Sequence, residues 1–313
     1  MGSSYDHLID KAHQGKSTSE LLDAPVEALT GVSSADAERL RAAFGIRTIR
    51  DLGESRFFQT AAAILEAVLI NHDPGPLLGW SEFFQAAPIE AYVNHPAKRF
   101  RLDFGPVYFR GRLDGSARVL AIGQDPSTNE ILARRILVGT SGQRVQRLLN
   151  KAGITRSYTM LNTFLFSVFG QFDSKLKAIS EEPEIEGFRN AFLDRIADEN
   201  RIQAVVTFGV GARHAFERWP RGADFLVVHA THPAAEEADV IANWNQLLPD
   251  LRAAVEPDEG VTVDTTPFGA SFTPEDLTPI PSFDLPFGAP VRLWQGGGHS
   301  SRDGDNKIVW TAP

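Results

Sequence analysis

No cysteine occurs among the 313 residues of this chain. Disulfides, thiolate-held iron–sulfur clusters and cysteine nucleophiles are excluded at once, and any metal would have to be held by His and carboxylates. Long apolar runs are also missing. Nothing approaches the roughly 18 to 20 residues of a membrane-spanning helix, and the start Met1-Gly2-Ser3-Ser4-Tyr5-Asp6 lacks the charged-then-apolar order of a signal peptide. A cytoplasmic protein with no membrane partner is expected. Excess positive charge is lacking too: the formal net charge is -9, which weighs against nucleic acid, because phosphate neutralisation by Lys and Arg supplies most of the affinity in such complexes.

What is present changes that picture locally. From Arg118 to Arg156 there are seven Lys or Arg against only Asp125 and Glu130, whereas from Glu256 onward nine acids stand against three bases. A basic stretch inside an acidic chain reads either as a solvated helix face or as a phosphate-binding surface. The 42% hydrophobic content suffices for a sizeable core.

Three regions differ in pattern. Residues 1–75 read as a small helical module: a turn over Pro25 to Leu29, a tight Gly31-Val32-Ser33 connection, a helix capped by Ser34 and running from Ala35 to Ala43, then Thr48 to Leu52. The spacing resembles a helix-hairpin-helix module, with Ser33 in place of the second hairpin glycine. Its hairpin N–H groups would then meet a DNA phosphate, unless the helices serve only to bury their Leu and Ile face.

Residues 76–255 read as the core, and between about Phe100 and Val255 strands alternate with helices, the signature of an α/β fold. Phe104 to Arg112 reads as a hairpin arm. Buried strands are expected at Arg118 to Gly123, Tyr158 to Leu161, Ala204 to Phe208 and Phe225 to His229, and helices at Gln143 to Ala152, Phe188 to Asn200 and Val240 to Val255. The expected fold is a three-layer α/β/α arrangement around a mostly parallel, four-stranded central sheet. Residues 256–313, rich in Pro and Gly and repeating Pro-Phe-Gly-Ala at 267–270 and 286–289, read as an extended arm laid over the core or over a second subunit, the latter making a homodimer.

In parallel sheets, ligands sit at the carboxyl ends of the strands. That edge collects Gln124 and Asp125, Asn162, Gly209, and the stretch His229 to His232. Each polar residue taken alone also serves as a turn or cap. Together, a carboxylate, a bidentate amide and an imidazole suit hydrolysis at a group with an amide-like edge.

Gly123-Gln124-Asp125-Pro126 after the first strand, Leu161-Asn162-Thr163 after the second, and His232-Pro233 after the last resemble the three signature stretches of uracil-DNA glycosylases, in the same order. Gly139-Thr140-Ser141-Gly142-Gln143 resembles the loop that opens the following helix in that superfamily, and Val206-Thr207-Phe208-Gly209 the end of its third sheet strand. The resemblance spans about residues 100–255. It implies hydrolysis of the N-glycosidic bond of uracil in DNA, without metal or cofactor. Asp125 would position water and stabilise the cationic sugar, Asn162 would read the flipped base, and His232 would donate to the departing uracil anion, with His229 the alternative imidazole. Gln124, Ser127 and Leu137 would line the pocket, while Gly139, Ser141, Gly142, Gln143 and Arg144, with the Arg-rich helix behind them, would hold DNA phosphates. No lysine in these motifs offers an imine-forming nucleophile, so no lyase step is implied.

The chain departs from the family pattern in several ways. Ser127 stands where the best-known branch has a thymine-excluding Tyr, which implies a roomier pocket open to other damaged or 5-substituted bases. Ala234-Ala235-Glu236-Glu237 replaces the wedge-bearing Ser-Pro-Leu-Ser, which implies a preference for single-stranded DNA. Where a base-stacking aromatic is expected, Leu137 is found, with Phe164, Phe166 or Phe169 as substitutes. A uracil- or abasic-DNA binding protein with little turnover is the alternative on the same fold. A nucleotide-binding α/β protein would need a Gly-rich phosphate loop after the first strand, and Gly-Gln-Asp-Pro does not supply one.

Overall fold

The computed structural model describes residues 8–61, 72–103 and 105–286. The chain divides into two compact units between Asn71 and His72, a few residues before the expected boundary.

In the N-terminal unit, helices α1 (Thr18–Leu22), α2 (Ser34–Phe44) and α3 (Ile49–Glu54) each begin with a reciprocal capping box: Ser17 with Glu20, Ser33 with Asp36, Thr48 with Asp51. These boxes satisfy the N–H groups that a helix start leaves unpaired. Ser33, not Ser34, is therefore the cap of α2. This bears on the phosphate reading. The Asp36 carboxylate already accepts from the backbone N–H and hydroxyl of Ser33 and pairs with Arg39, so an anion arriving at this helix start would meet a like charge. Val26, Ala28 and Ile46 are fully buried, as a packing module requires.

The second unit carries α4 (Leu78–Gln85), α5 (Ile89–Val93), β1 (Phe100–Arg101), β2 (Arg110–Gly111), β3 (Val119–Gly123), α6 (Thr128–Ala133), α7 (Thr140–Lys151), β4 (Tyr158–Asn162), β5 (Ser167–Val168), α8 (Ser174–Ser180), α9 (Pro183–Glu199), β6 (Ala204–Phe208), α10 (Gly209–Glu217), β7 (Leu226–Ala230) and α11 (Glu237–Ala254). The main sheet runs β2-β4-β3-β6-β7, with β2 antiparallel to β4 and the other pairs parallel. It has five strands rather than four, because two-residue β2 is too short to leave a periodic signal. The hairpin expected over Phe104 to Arg112 does not form: Phe104 lies outside the described residues, and β1 and β2 pair with the distant β5 and β4.

The sheet is covered on both faces because side chains of a strand alternate sides. Val119 and Ala121 join Val145, Leu148 and Leu149 of α7 and Trp244, Leu248 and Leu251 of α11. Leu120 and Ile122 join Phe192, Leu193 and Ile196 of α9, with Trp80 and Phe84 of α4. Helix α9 starts at Pro183, earlier than expected, and proline is at home in a helix's first turn. Register then fixes the site: Gly123 lies beside Asn162, and Phe208 beside Ala230, so the carboxyl ends of four parallel strands share one edge.

Residues 256–286 lie along this same unit and absorb its positive charge. Asp258 pairs with Arg118, Asp264 with Arg147 and Lys151, and Asp284 with Arg110 and Arg112. Phe268 and Phe272 pack around Trp244.

Candidate active site

A cleft of about 350 Å³ opens at the carboxyl edge of the sheet, and it gathers Gln124, Asp125, Ser127, Leu137, Gly139, Ser141, Gly142, Arg144, Asn162 and His232. Residues more than a hundred positions apart in sequence meet there because the parallel strands end in register.

Asp125 sits on the tight turn after β3. Its Oδ2 accepts from the backbone N–H of Val168 and its Oδ1 from the Gln124 amide, both at 2.9 Å. Burial raises its pKa above the ordinary carboxylate value; these two hydrogen bonds and the charge of Arg101 act in the opposite direction. The carboxylate is thus held in place without a direct cationic partner, which keeps its charge available to a neighbouring cation or water.

Asn162 ends β4 and is 5% exposed. Its Nδ2 is buried and makes no hydrogen bond. A buried amide donor without a partner costs about 1–3 kcal/mol, so the position stores a demand for an acceptor. Gly123 makes room for this amide: a Cβ there would lie closer than 3.0 Å to the Asn162 Oδ1.

His232 stands at the mouth of the cleft. The backbone N–H of Ala234 donates to its Nδ1 at 3.2 Å, which fixes the neutral tautomer with the proton on Nε2. Partial burial pushes its pKa below the ordinary histidine value. Gly209, at φ +84°, lets the strand end pass His232, whose Cβ lies 3.1 Å from where a Gly209 Cβ would be. His229 does not line the cleft; its Nδ1 is paired with the Thr207 hydroxyl at 2.8 Å.

The opposite wall depends on residues that motif matching passed over. Glu130 is 5% exposed and accepts the backbone N–H groups of both Ser127 and Leu137. Burial raises its pKa, and the neighbouring Asp125 charge adds to that rise. Leu137 itself has φ +54°, uncommon for a leucine, and its carbonyl accepts from buried Arg110. Gly142 is required because the Leu137 carbonyl occupies the space of any Cβ there. The spacing Ser127-x-x-Glu130 is a capping-box signal that sequence alone could have revealed. Asn129, Thr140 and Phe208 also line the cleft. Phe208 is its aromatic wall, whereas Phe164 and Phe166 are buried in the core among Tyr92 and Phe100.

Two residues expected at DNA phosphates are buried or already engaged within the protein. Gln143 is buried and does not line the cleft. Arg144 lines it, but its guanidinium donates to the Pro233 carbonyl at 2.9 Å, pairs with Glu237 at 3.1 Å and lies over Phe272. The Arg-rich helix behind is likewise engaged, with Arg147 and Lys151 held by Asp264. Charge counting along the chain could not reveal this, because the neutralising acids lie more than ninety residues away.

The family model of the uracil DNA glycosylase superfamily matches residues 111–249. This α/β core belongs to that superfamily. The match begins in β2 and ends in α11, and so contains every residue that lines the cleft. No curated protein matches the chain. Membership supports a glycosylase-type role in DNA repair. Among the described residues no helix is long and apolar enough to cross a membrane.

Proposed function

We propose that this glycosylase excises uracil from DNA, leaving an abasic site, with Asp125, Asn162 and His232 as its working groups. The observation that carries the reading is the buried, unpartnered Nδ2 of Asn162 in a cleft shared with a carboxylate and an imidazole of fixed tautomer. Uracil presents a carbonyl O4 beside an N3–H, the complement of a primary amide's donor and acceptor. A base in the cleft would give Asn162 the acceptor it lacks.

The reaction follows from these placements. Water adds to C1′ of the sugar as the bond from C1′ to N1 of uracil breaks. The Asp125 carboxylate stabilises the developing positive sugar and takes the water's proton, and the Nε2–H of His232 donates to O2 of the departing uracil anion. The base leaves as its anion, held by a hydrogen bond from a His232 that stays neutral; it takes a proton from solvent on release while Asp125 returns the water's proton to solvent, so atoms and charge balance. Ser127 at the cleft wall supports acceptance of 5-substituted uracils, since it is far smaller than a tyrosine. The run Ala234 to Glu237 offers no large apolar wedge, which favours single-stranded substrate.

Excision from a labelled single-stranded oligonucleotide carrying one uracil, developed by alkaline cleavage, tests the reading. Wild-type cleavage that falls by two or more orders of magnitude in Asp125→Ala is the expected result. Tight binding without cleavage by the wild type would instead identify a binding protein on the glycosylase fold.

A further inference from the structure

Beside the cleft lies a second, smaller depression lined by Arg101, Asp103, Thr128, Ile131, Leu132 and Phe169. It is contiguous with the active site through the chain itself. Thr128 follows Ser127 of the cleft wall, and Phe169 follows Val168, whose N–H donates to Asp125. Two of its large apolar side chains face solvent: Phe169 is 47% exposed and Leu132 46%. Of Phe164, Phe166 and Phe169, only Phe169 is outside the core.

The ring is presented by a rigid support. β1 and β5 pair antiparallel, and beyond β5 the N–H of Phe169 donates to the Arg99 carbonyl at 2.7 Å. The Arg99 side chain returns a bond to the Phe169 carbonyl at 2.8 Å and pairs with Asp173. The guanidinium of Arg101 lies 4.8 Å from the ring centroid. A backbone pinned from both sides and a cation over the ring hold the ring in a fixed place, so little entropy is left to lose on contact.

The geometry points to this ledge as a stacking platform for a base flanking the one in the cleft, so that a substrate strand is gripped at two adjacent nucleotides. The inference rests on the proposed DNA reading of the cleft. A nucleobase fits the ledge better than a phosphate does, because Asp103 shares the depression and its carboxylate offsets Arg101. It also fits better than an apolar protein segment, because a base combines a π-face for Phe169 and Arg101 with wet polar edges suited to a shallow, open site. Stacking of this kind does not read sequence, and it replaces part of the grip lost with the missing wedge.

The test measures binding of a single-stranded oligonucleotide bearing one non-hydrolysable fluorinated deoxyuridine by fluorescence anisotropy, for wild type, Phe169→Ala and Phe169→Trp. Phe169→Ala is expected to weaken binding about tenfold, and Phe169→Trp to match or exceed wild type. When the bases on both sides of the uracil are replaced by abasic linkers, wild type and Phe169→Ala should become equal. Equal binding of wild type and Phe169→Ala on the full oligonucleotide overturns the inference, as does a penalty that survives the abasic neighbours. Wild-type excision would leave the cleft reading standing in either case. A wild type that neither binds nor excises overturns both.

Discussion

Gly123→Ala should disable the enzyme without touching a reacting group. The added methyl lies closer than 3.0 Å to the Asn162 Oδ1, while the next atoms, Asn162 Cγ and the Leu161 carbonyl oxygen, stand at 3.5 and 3.9 Å. The strand backbone accepts alanine here, since this glycine is not in the left-handed region. The whole strain therefore falls on the amide that the proposed mechanism uses to read the base. Restoring ordinary contact moves that amide by about 1 Å, a displacement that costs on the order of a hundredfold in rate. Overpacking a buried site costs about 1–3 kcal/mol of stability. The assay is kcat/KM for uracil excision together with thermal unfolding, for Gly123→Ala, Asn162→Ala and the double variant. If the methyl acts through Asn162, the double variant is no slower than Asn162→Ala and regains stability over Gly123→Ala, because the shortened side chain clears the clash. Independent, multiplying losses in the double variant would refute the reasoning, and so would a Gly123→Ala enzyme within a few-fold of wild type.

Other substitutions separate roles that share the cleft. Asp125→Asn should lower kcat by about 10²–10⁴. It should also raise the melting temperature at neutral pH: burial raises this carboxyl's folded pKa, so its ionised form above that pKa is a cost to folding, and the gain should vanish on acidification through it. Arg144→Met should lower kcat by about tenfold or more by freeing the His232-Pro233 loop from the Pro233 and Glu237 contacts. It should leave the salt dependence of DNA binding unchanged, where loss of a true phosphate contact would reduce that slope by about one. Asp258→Ala should cost about 1–3 kcal/mol in denaturant unfolding, since it leaves the N–H groups of Thr155 and Arg156 and the Ser157 hydroxyl without their acceptor. The Asp258 carboxyl is held down to about 2, so its contribution is present above the ordinary value of 3.8 and is lost as pH falls from there toward 2.

Much of this molecule is legible in its sequence because short-range physics wrote it there. Fully buried parallel strands must be continuous apolar runs, so Val119 to Gly123 and Ala204 to Phe208 announce themselves. The strand-end rule then brings Asp125, Asn162 and His232 to one edge before any coordinate is known. Tertiary structure alone decided what those residues and their neighbours are free to do. Arg144, Arg147 and Lys151 read as a DNA-facing series, yet acids from Glu237 and Asp264 had already claimed them. Glu130 reads as a helix cap, yet it also reaches across to Leu137 and shapes the cleft wall. Pairing between residues distant in the chain carries no local signal, since electrostatic and hydrogen-bond partners are chosen by proximity in space. Which charges remain for a ligand is therefore a property of the fold, and which groups can perform the chemistry is a property of the sequence.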